Sequence, residues 1–270
     1  VLTPFMVNLD GFALTHTYET VDVPAEEDAD AFLPPYQATN CFDFEHPKNI
    51  GYSAGPDYNR YFKYYEHRDM LGAFEAIDRV EARFAECFGR AYTGPIEAMN
   101  CDDAEVVLVT LGSIAGLARE SVARLRKQGK RVGLLRIRYM RPFPAKLIAE
   151  ALSGATAVGV LEKDISFGAE GTVFTNVNSA LQQAGCTTPT FNFIGGLGGD
   201  DITSAQMDAM FDALLDSAGE RGRDDAVAGR SCDDASTGQG AGLGRVSFLG
   251  IDFPVASQPA CGDDCEEGAR

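Results

Sequence analysis

Four short stretches hold the residues whose types and spacing could do chemistry. In "LGSIAG" (111–116), Gly112 and Ser113 open a predicted helix, whose first amide groups could hold an anion. The stretch has no lysine where a phosphate-cradling loop needs one, so it is not a P-loop. "RYMRPFP" carries Arg138 and Arg141, and a guanidinium fork suits phosphate or carboxylate. "EKDISFGAEG" brings Glu162, Lys163 and Asp164. "GGLGGDDIT" (195–203) has four glycines, Gly196 and Gly198 among them, that let a backbone approach a ligand closely. Asp200 and Asp201 beside them would repel a phosphate, and the glycines follow the last strand of the pattern, not the first. This excludes a dinucleotide fingerprint. Each stretch also has a structural reading: glycines make turns, Asp and Ser cap helices, and Arg forms ion pairs.

Other catalytic arrangements are missing from the pattern. His16, His46 and His67 are far apart, show no metal spacing, and all precede the α/β pattern. No G-x-S-x-G elbow occurs and no histidine follows the sheet, which argues against a self-contained hydrolase. The seven cysteines are scattered and odd in number, as in a reducing compartment. Cys261 and Cys265 form a C-x3-C pair with Cys232 nearby; ferredoxin clusters need tighter runs, and an incidental pair in an acidic tail is favoured over a metal site.

The elements that must position these stretches follow from periodicity. Residues 1–23 read as a strand end and a loop. Residues 24–56, with Pro34, Pro35, Pro47 and Pro56, read as a long connection without helix. From Asp57 to Phe88, Met70, Phe74, Ile77, Val80, Phe84 and Cys87 recur at helical spacing, and Gly89 can close the helix. Tyr58, Tyr61, Phe62, Tyr64 and Tyr65 crowd its first turns, either as a binding platform or packed against a neighbouring domain or subunit.

Strands are then expected at 105–113, 131–139, 157–164 and 189–196, with helices between them and a last helix from Thr203. Ser113 is expected to cap the helix after the first strand, and Thr203 with Gln206 forms a capping box. The last helix presents Met207, Met210, Phe211 and Leu214. This alternation gives an α/β fold, a parallel sheet flanked by helices, over 104–218. Residues 219–244 read as a flexible linker, 245–253 as one further strand at most, and the acidic end as disordered.

Composition limits the partners. Of 270 residues, 40 are acidic and 23 basic, a formal charge of -17 that repels nucleic acid. No apolar run is long enough to cross a bilayer. A cytoplasmic location is expected. Val1 is not an initiator Met and opens a strand-like phrase, so an upstream segment is expected.

The motifs also occur in a recognisable order. "NLDGFALTHTYETVDVP", "FLPPY", "GPDY", "FGRAY", "DDAEVVLVTLGSIAG", "VGLLRIRYMRPFP", "SFGAEGTVF" and "GLGGDDIT" together resemble the alpha subunit of the 2-oxoacid:ferredoxin oxidoreductases, the pyruvate members above all. The resemblance covers about residues 3 to 218. It implies a transketolase C-terminal-domain-like α/β domain at 104–218. It also implies the end of a thiamine-type pyrimidine-binding domain at 1–23, joined by a connector and long helix at 24–103, with 219–244 a linker and 245–270 a tail.

The same resemblance implies a thiamine diphosphate and magnesium site at a subunit interface and 4Fe-4S clusters on partner subunits. Beta, gamma and delta-type subunits would be the partners, ferredoxin the electron acceptor, and a 2-oxoacid and coenzyme A the substrates. Asp10, Phe12 and His16 would lie nearest the cofactor domain, and none is assigned as catalytic. This stretch would then be a domain and subunit scaffold that binds no cofactor alone. "LEKD" departs from the family's usual Asp-Arg pair, which puts any ion pair at Glu162 and Lys163 in doubt. The alternatives are a stand-alone α/β module for a nucleotide or acyl-CoA, and a structural interaction protein.

Overall fold

The computed structural model describes residues 3–4, 6–11, 13–38, 40–51, 53–92, 94–224 and 246–249. A six-stranded sheet forms from β1 (Ile96–Met99), β2 (Val106–Leu111), β3 (Val132–Ile137), β4 (Ala157–Glu162), β5 (Thr190–Ile194) and β6 (Val246–Phe248). Its spatial order is β1-β3-β2-β4-β5-β6, with every pairing parallel except β1 against β3. The fold is therefore a mostly parallel sheet flanked by helices, with one antiparallel edge that the sequence pattern placed in the connector. β1 is only four residues long and its partner lies about forty residues away, so no local hairpin signal marks it.

Strand alternation divides the core. Val107 and Val109 of β2, with Leu135, Ile137, Val158 and Val160, face α5 (Ala145–Leu152) and α6 (Thr172–Gln183) through Ile148, Leu152, Phe174 and Val177. Val106 and Leu108, with Val132, Leu134 and Leu161, face α4 (Ala115–Lys127) and α7 (Ser204–Asp224) through Val122, Leu125, Met207, Phe211 and Leu214. The near-continuous apolar runs thus serve a sheet covered on both faces. Gly159 lets side chains from both neighbouring strands and α7 close over β4. A Cβ there would meet Leu214 at 2.8 Å, Phe193 at 2.9 Å and Leu108 at 3.0 Å.

The capping box at α7 is formed: the Gln206 backbone N–H donates to Thr203 Oγ1 (3.2 Å), and the Thr203 N–H donates to Gln206 Oε1 (2.8 Å). α7 runs on to Asp224, six residues into the expected linker, carried by buried Leu214 and Ala218 on its core face. Cys232, Cys261 and Cys265 lie outside the described residues, as does the rest of the expected linker and tail apart from β6 and Leu249.

The N-terminal part is built differently. A single turn, α1 (Ala13–His16), stands where a loop was expected. A short helix, α2 (Glu26–Phe32), occupies the stretch expected to be extended. It fits between Pro24 and Pro34, so no proline ring enters its interior. Glu26, Glu27 and Asp28 in its first turn favour the positive end of its dipole. Phe32 docks it edge-on to Phe84 (5.6 Å) and Phe88 (5.4 Å) of α3 (Pro56–Phe88). Arg83 donates to the last carbonyls of α2, Ala31 O at 2.9 Å and Phe32 O at 2.6 Å.

Pro56 opens α3 at a position where its missing N–H costs nothing, and Gly89 closes it at φ +64°. No residue of α3 is buried, and Val80, expected on its apolar stripe, is exposed. One half-buried joint fixes α3 to the α/β unit. Glu81 accepts from Tyr139 Oη (2.7 Å), the Gly94 N–H (2.9 Å) and Arg138 (3.2 Å), and Arg138 also donates to Gly94 O (2.6 Å).

Candidate functional site

Chain connections place a crevice at the carboxyl ends of β2 and β4. From β2 the chain passes to β3 on one side, then returns past β2 to β4 on the other. Neighbouring loops leave such a point in opposite directions, which is where α/β sheets bind ligands. Ser113 follows β2 here, and Lys163 follows β4.

Asp10 comes into this crevice from 103 positions away. Its carboxylate accepts a hydrogen bond from Ser113 Oγ, and Lys163 Nζ lies 3.7 Å from it. The Ser113 hydroxyl holds the Asp10 carboxyl below the ordinary carboxylate range, opposed by burial and helped to a lesser degree by the Lys163 charge. Ser113 therefore does not cap α4. It sits within a single 3-10 turn, Gly112–Ile114, and α4 starts without a side-chain cap. Gly112 is needed at φ +78°, where a side chain would be strained, and an ideal Cβ there would touch Asp10 Oδ2 at 4.0 Å. Gly196, at φ +71°, lets the Lys163 stem lie across it; a Cβ would meet Lys163 Cε at 3.1 Å. Three of the four expected loops thus converge around Asp10.

Behind Lys163, Glu162 is buried with 4% of its surface exposed. Its carboxylate accepts from Val173 N–H (2.7 Å), Phe174 N–H (3.1 Å) and Asn192 Nδ2 (2.7 Å), while Asn192 Oδ1 accepts from Gly171 N–H (2.8 Å). It caps α6 from inside, in the position that a bound anion would take at a helix N-terminus. Burial pushes the Glu162 carboxyl up to about 7, opposed by the Val173 and Phe174 amides and then by Asn192. Gly171 leaves the space it needs: a Cβ there would lie 1.9 Å from Glu162 Oε1. Glu162 makes no ion pair with Lys163, whose partner is Asp10.

The remaining expected residues lie elsewhere. Arg141 donates to Met140 O (2.6 Å) and Asn176 Oδ1 (3.3 Å), away from Asp10. Arg138 is committed to Glu81. Gly198 bends the 197–199 turn at φ +66° and meets nothing within 4 Å of an added Cβ. His16 is exposed, with Thr15 Oγ1 at 3.2 Å from Nδ1. Phe12 lies outside the described residues. Lys163 stood in one of the four expected stretches, but its pairing with Asp10 had no signal in the sequence. Asn192, which holds Glu162, was missed: it sits inside an apolar strand with nothing to mark it.

Among the described residues, no group of three or more His, Cys, Asp or Glu could hold a metal ion. The described cysteines Cys41, Cys87, Cys101 and Cys186 are all free. No described helix is long and apolar enough to cross a membrane. The acidic groups of the crevice are already spoken for, Asp10 by Ser113 and Lys163, Glu162 by α6. The arrangement can fasten the 6–11 segment to the sheet edge.

Residues 104–207 match the family model described as pyruvate:ferredoxin oxidoreductase core domain II. Residues 1–82 match the thiamine diphosphate-binding model of pyruvate flavodoxin/ferredoxin oxidoreductases. The chain is 42% identical over 210 residues to pyruvate synthase subunit PorA of Methanothermobacter thermautotrophicus, covering 78% of this chain and 54% of that one. It is 38% identical over 211 residues to ketoisovalerate oxidoreductase subunit VorA of Pyrococcus abyssi, covering 78% and 53%. A solved 2-oxoglutarate:ferredoxin oxidoreductase from Magnetococcus marinus matches with a TM-score of 0.36 at 19% identity, over 49% of this chain and 21% of that one. The chain spans about half the length of the curated relatives it matches. The two matched models, with 42% identity to a pyruvate synthase subunit over 78% of the chain, show that the chain belongs to the 2-oxoacid:ferredoxin oxidoreductase family.

Proposed function

We propose that this chain is part of the alpha subunit of a thiamine-diphosphate-dependent 2-oxoacid:ferredoxin oxidoreductase. That enzyme would convert a 2-oxoacid and coenzyme A to acyl-CoA and carbon dioxide, passing two electrons to ferredoxin. Pyruvate is the favoured substrate, because the "DGF" and "FLPPY" phrases most resemble the pyruvate members and the M. thermautotrophicus relative is named pyruvate synthase. Within this enzyme, 104–218 serves as the transketolase-C-terminal-like scaffold, 24–103 as the connector and long helix, and 1–23 as the edge of the cofactor domain. Thiamine diphosphate and magnesium are held mainly by neighbouring polypeptide, the iron–sulfur clusters by partner subunits, and the assembly works in the cytoplasm.

The observation that carries this reading is the distribution of burial. Every buried described residue lies at or after Pro95, although the matched thiamine diphosphate-binding region reaches residue 82. Met6, Val7 and Leu9 are each 80% exposed, and Phe42 and Phe44 are open as well. So much apolar surface on an extended segment suits a partner that it wraps. A stand-alone nucleotide or acyl-CoA module is less well supported, because the Asp10 carboxylate already takes the anion-favouring crevice.

The test is activity in the natural assembly. The chain, co-purified with beta, gamma and delta-type subunits, should support coenzyme A-dependent reduction of ferredoxin by pyruvate, and alone it should support none. Failure of any 2-oxoacid to drive reduction, or no co-purifying subunit, would overturn the reading.

A further inference from the structure

Asp10 is unlike its neighbours. Of the described residues 3–11, it alone is half-buried; the others are exposed. Its side chain is therefore the anchor of that segment. Its two partners follow two different strands, β2 and β4, which pair directly through Thr110 and Leu161. The anchor point is thus set by the sheet and not by one loop. Gly196 leaves room for the Lys163 stem beside the crevice, and Gly112 supplies the positive-φ turn that carries Ser113. An exposed ion pair stabilises a fold little by itself. A hydroxyl and an ammonium converging on one carboxylate do fix its direction.

We propose that Ser113 and Lys163 are positioning residues for the oxidoreductase reaction, clamping Asp10 so that the segment around it is held in fixed register on the carboxyl edge of the sheet. The proposal rests on the reading above, in which this segment borders the cofactor domain. It assigns the clamp an effect on geometry, not on stability or on substrate contact. Small misplacements of supporting residues are enough to slow a reaction whose groups must align.

The test uses the holoenzyme with Asp10→Asn, Ser113→Ala, Lys163→Met and the double variant Asp10→Asn/Lys163→Met. Each single variant should lower kcat roughly tenfold and leave KM for the 2-oxoacid within about twofold. Lys163→Arg and Ser113→Thr, which retain charge and hydroxyl, should recover most of the rate. The double variant should be no slower than either single one, because both remove the same contact. Hydrogen exchange of the peptide 6–16 should quicken in the non-conservative variants, with melting temperature within about 2 °C of wild type.

Wild-type rates in the singles, multiplicative loss in the double, or lost rate with unchanged exchange at 6–16 would overturn the clamp. If the wild-type holoenzyme oxidises no 2-oxoacid, the functional reading fails, while the exchange data still decide whether the clamp exists.

Discussion

Residues 94–224 and residues 3–92 share one chain and follow opposite rules. The first stretch packs both faces of its sheet, with Leu108, Phe174 and Phe211 among its fully buried side chains. The second contains no buried described residue, although it is rich in Phe, Tyr and Leu. Hydrophobic burial is the main term stabilising a fold, so one region holds itself together and the other depends on what covers it. The two are joined at a few polar points: Glu81 with Arg138 and Tyr139, and Asp10 with Ser113 and Lys163. Joints of this kind set orientation and leave surface free for partners.

The sharpest way to break this contrast is to cut equally large side chains from each side. Phe211→Ala should cost roughly 3–5 kcal/mol in urea unfolding of the chain. Phe44→Ala, at a side chain 98% exposed, should change it by less than about 0.5 kcal/mol and instead weaken co-purification with partner subunits. Equal costs would mean that 3–92 has a core of its own.

Glu162 comes next. Glu162→Ala strands the Val173 and Phe174 amides and Asn192, and should cost about 2–3 kcal/mol. Its pH dependence has a definite sign. The folded carboxyl sits at about 7 against an ordinary 4.5, so the folded state holds a proton that the unfolded chain has released. The contribution of Glu162 to stability is therefore full below about 4.5 and lost as pH rises towards 7. The melting temperature of wild type relative to Glu162→Gln should fall across that window. A flat difference would show that the α6 amides keep the group ionised throughout.

A smaller effect is expected at the joint. Glu81→Gln should cost roughly 1–2 kcal/mol and speed hydrogen exchange near the end of α3, leaving β2 and β4 protected. The smallest is at the capping box, where Thr203→Ala should lower stability by about 1 kcal/mol in the same unfolding assay.

The contrast also explains what could be read in the sequence. α5, the α7 capping box and the α7 core face stood at their expected positions because turn chemistry and periodicity are local. β1 was missed because its only evidence is β3, and α2 because prolines just outside a short helix look like prolines that forbid one. Ser113 looked like a cap because nothing near it in sequence shows that its partner is Asp10. The Glu162–Asn192 pair was hidden for the same reason, since it forms across two strands thirty positions apart. Asp10, Gly112, Ser113 and Gly196 were legible as candidates; their convergence was not, because it depends on strand order.

The most direct test is hydrogen exchange of the chain alone and in its assembly with partner subunits. Amides of 3–51 should exchange faster in the lone chain than in the assembly, while those of β2, β4 and α7 are protected in both. Equal protection of 3–51 in the two states would contradict the division into a self-supporting scaffold and a segment completed by its partners.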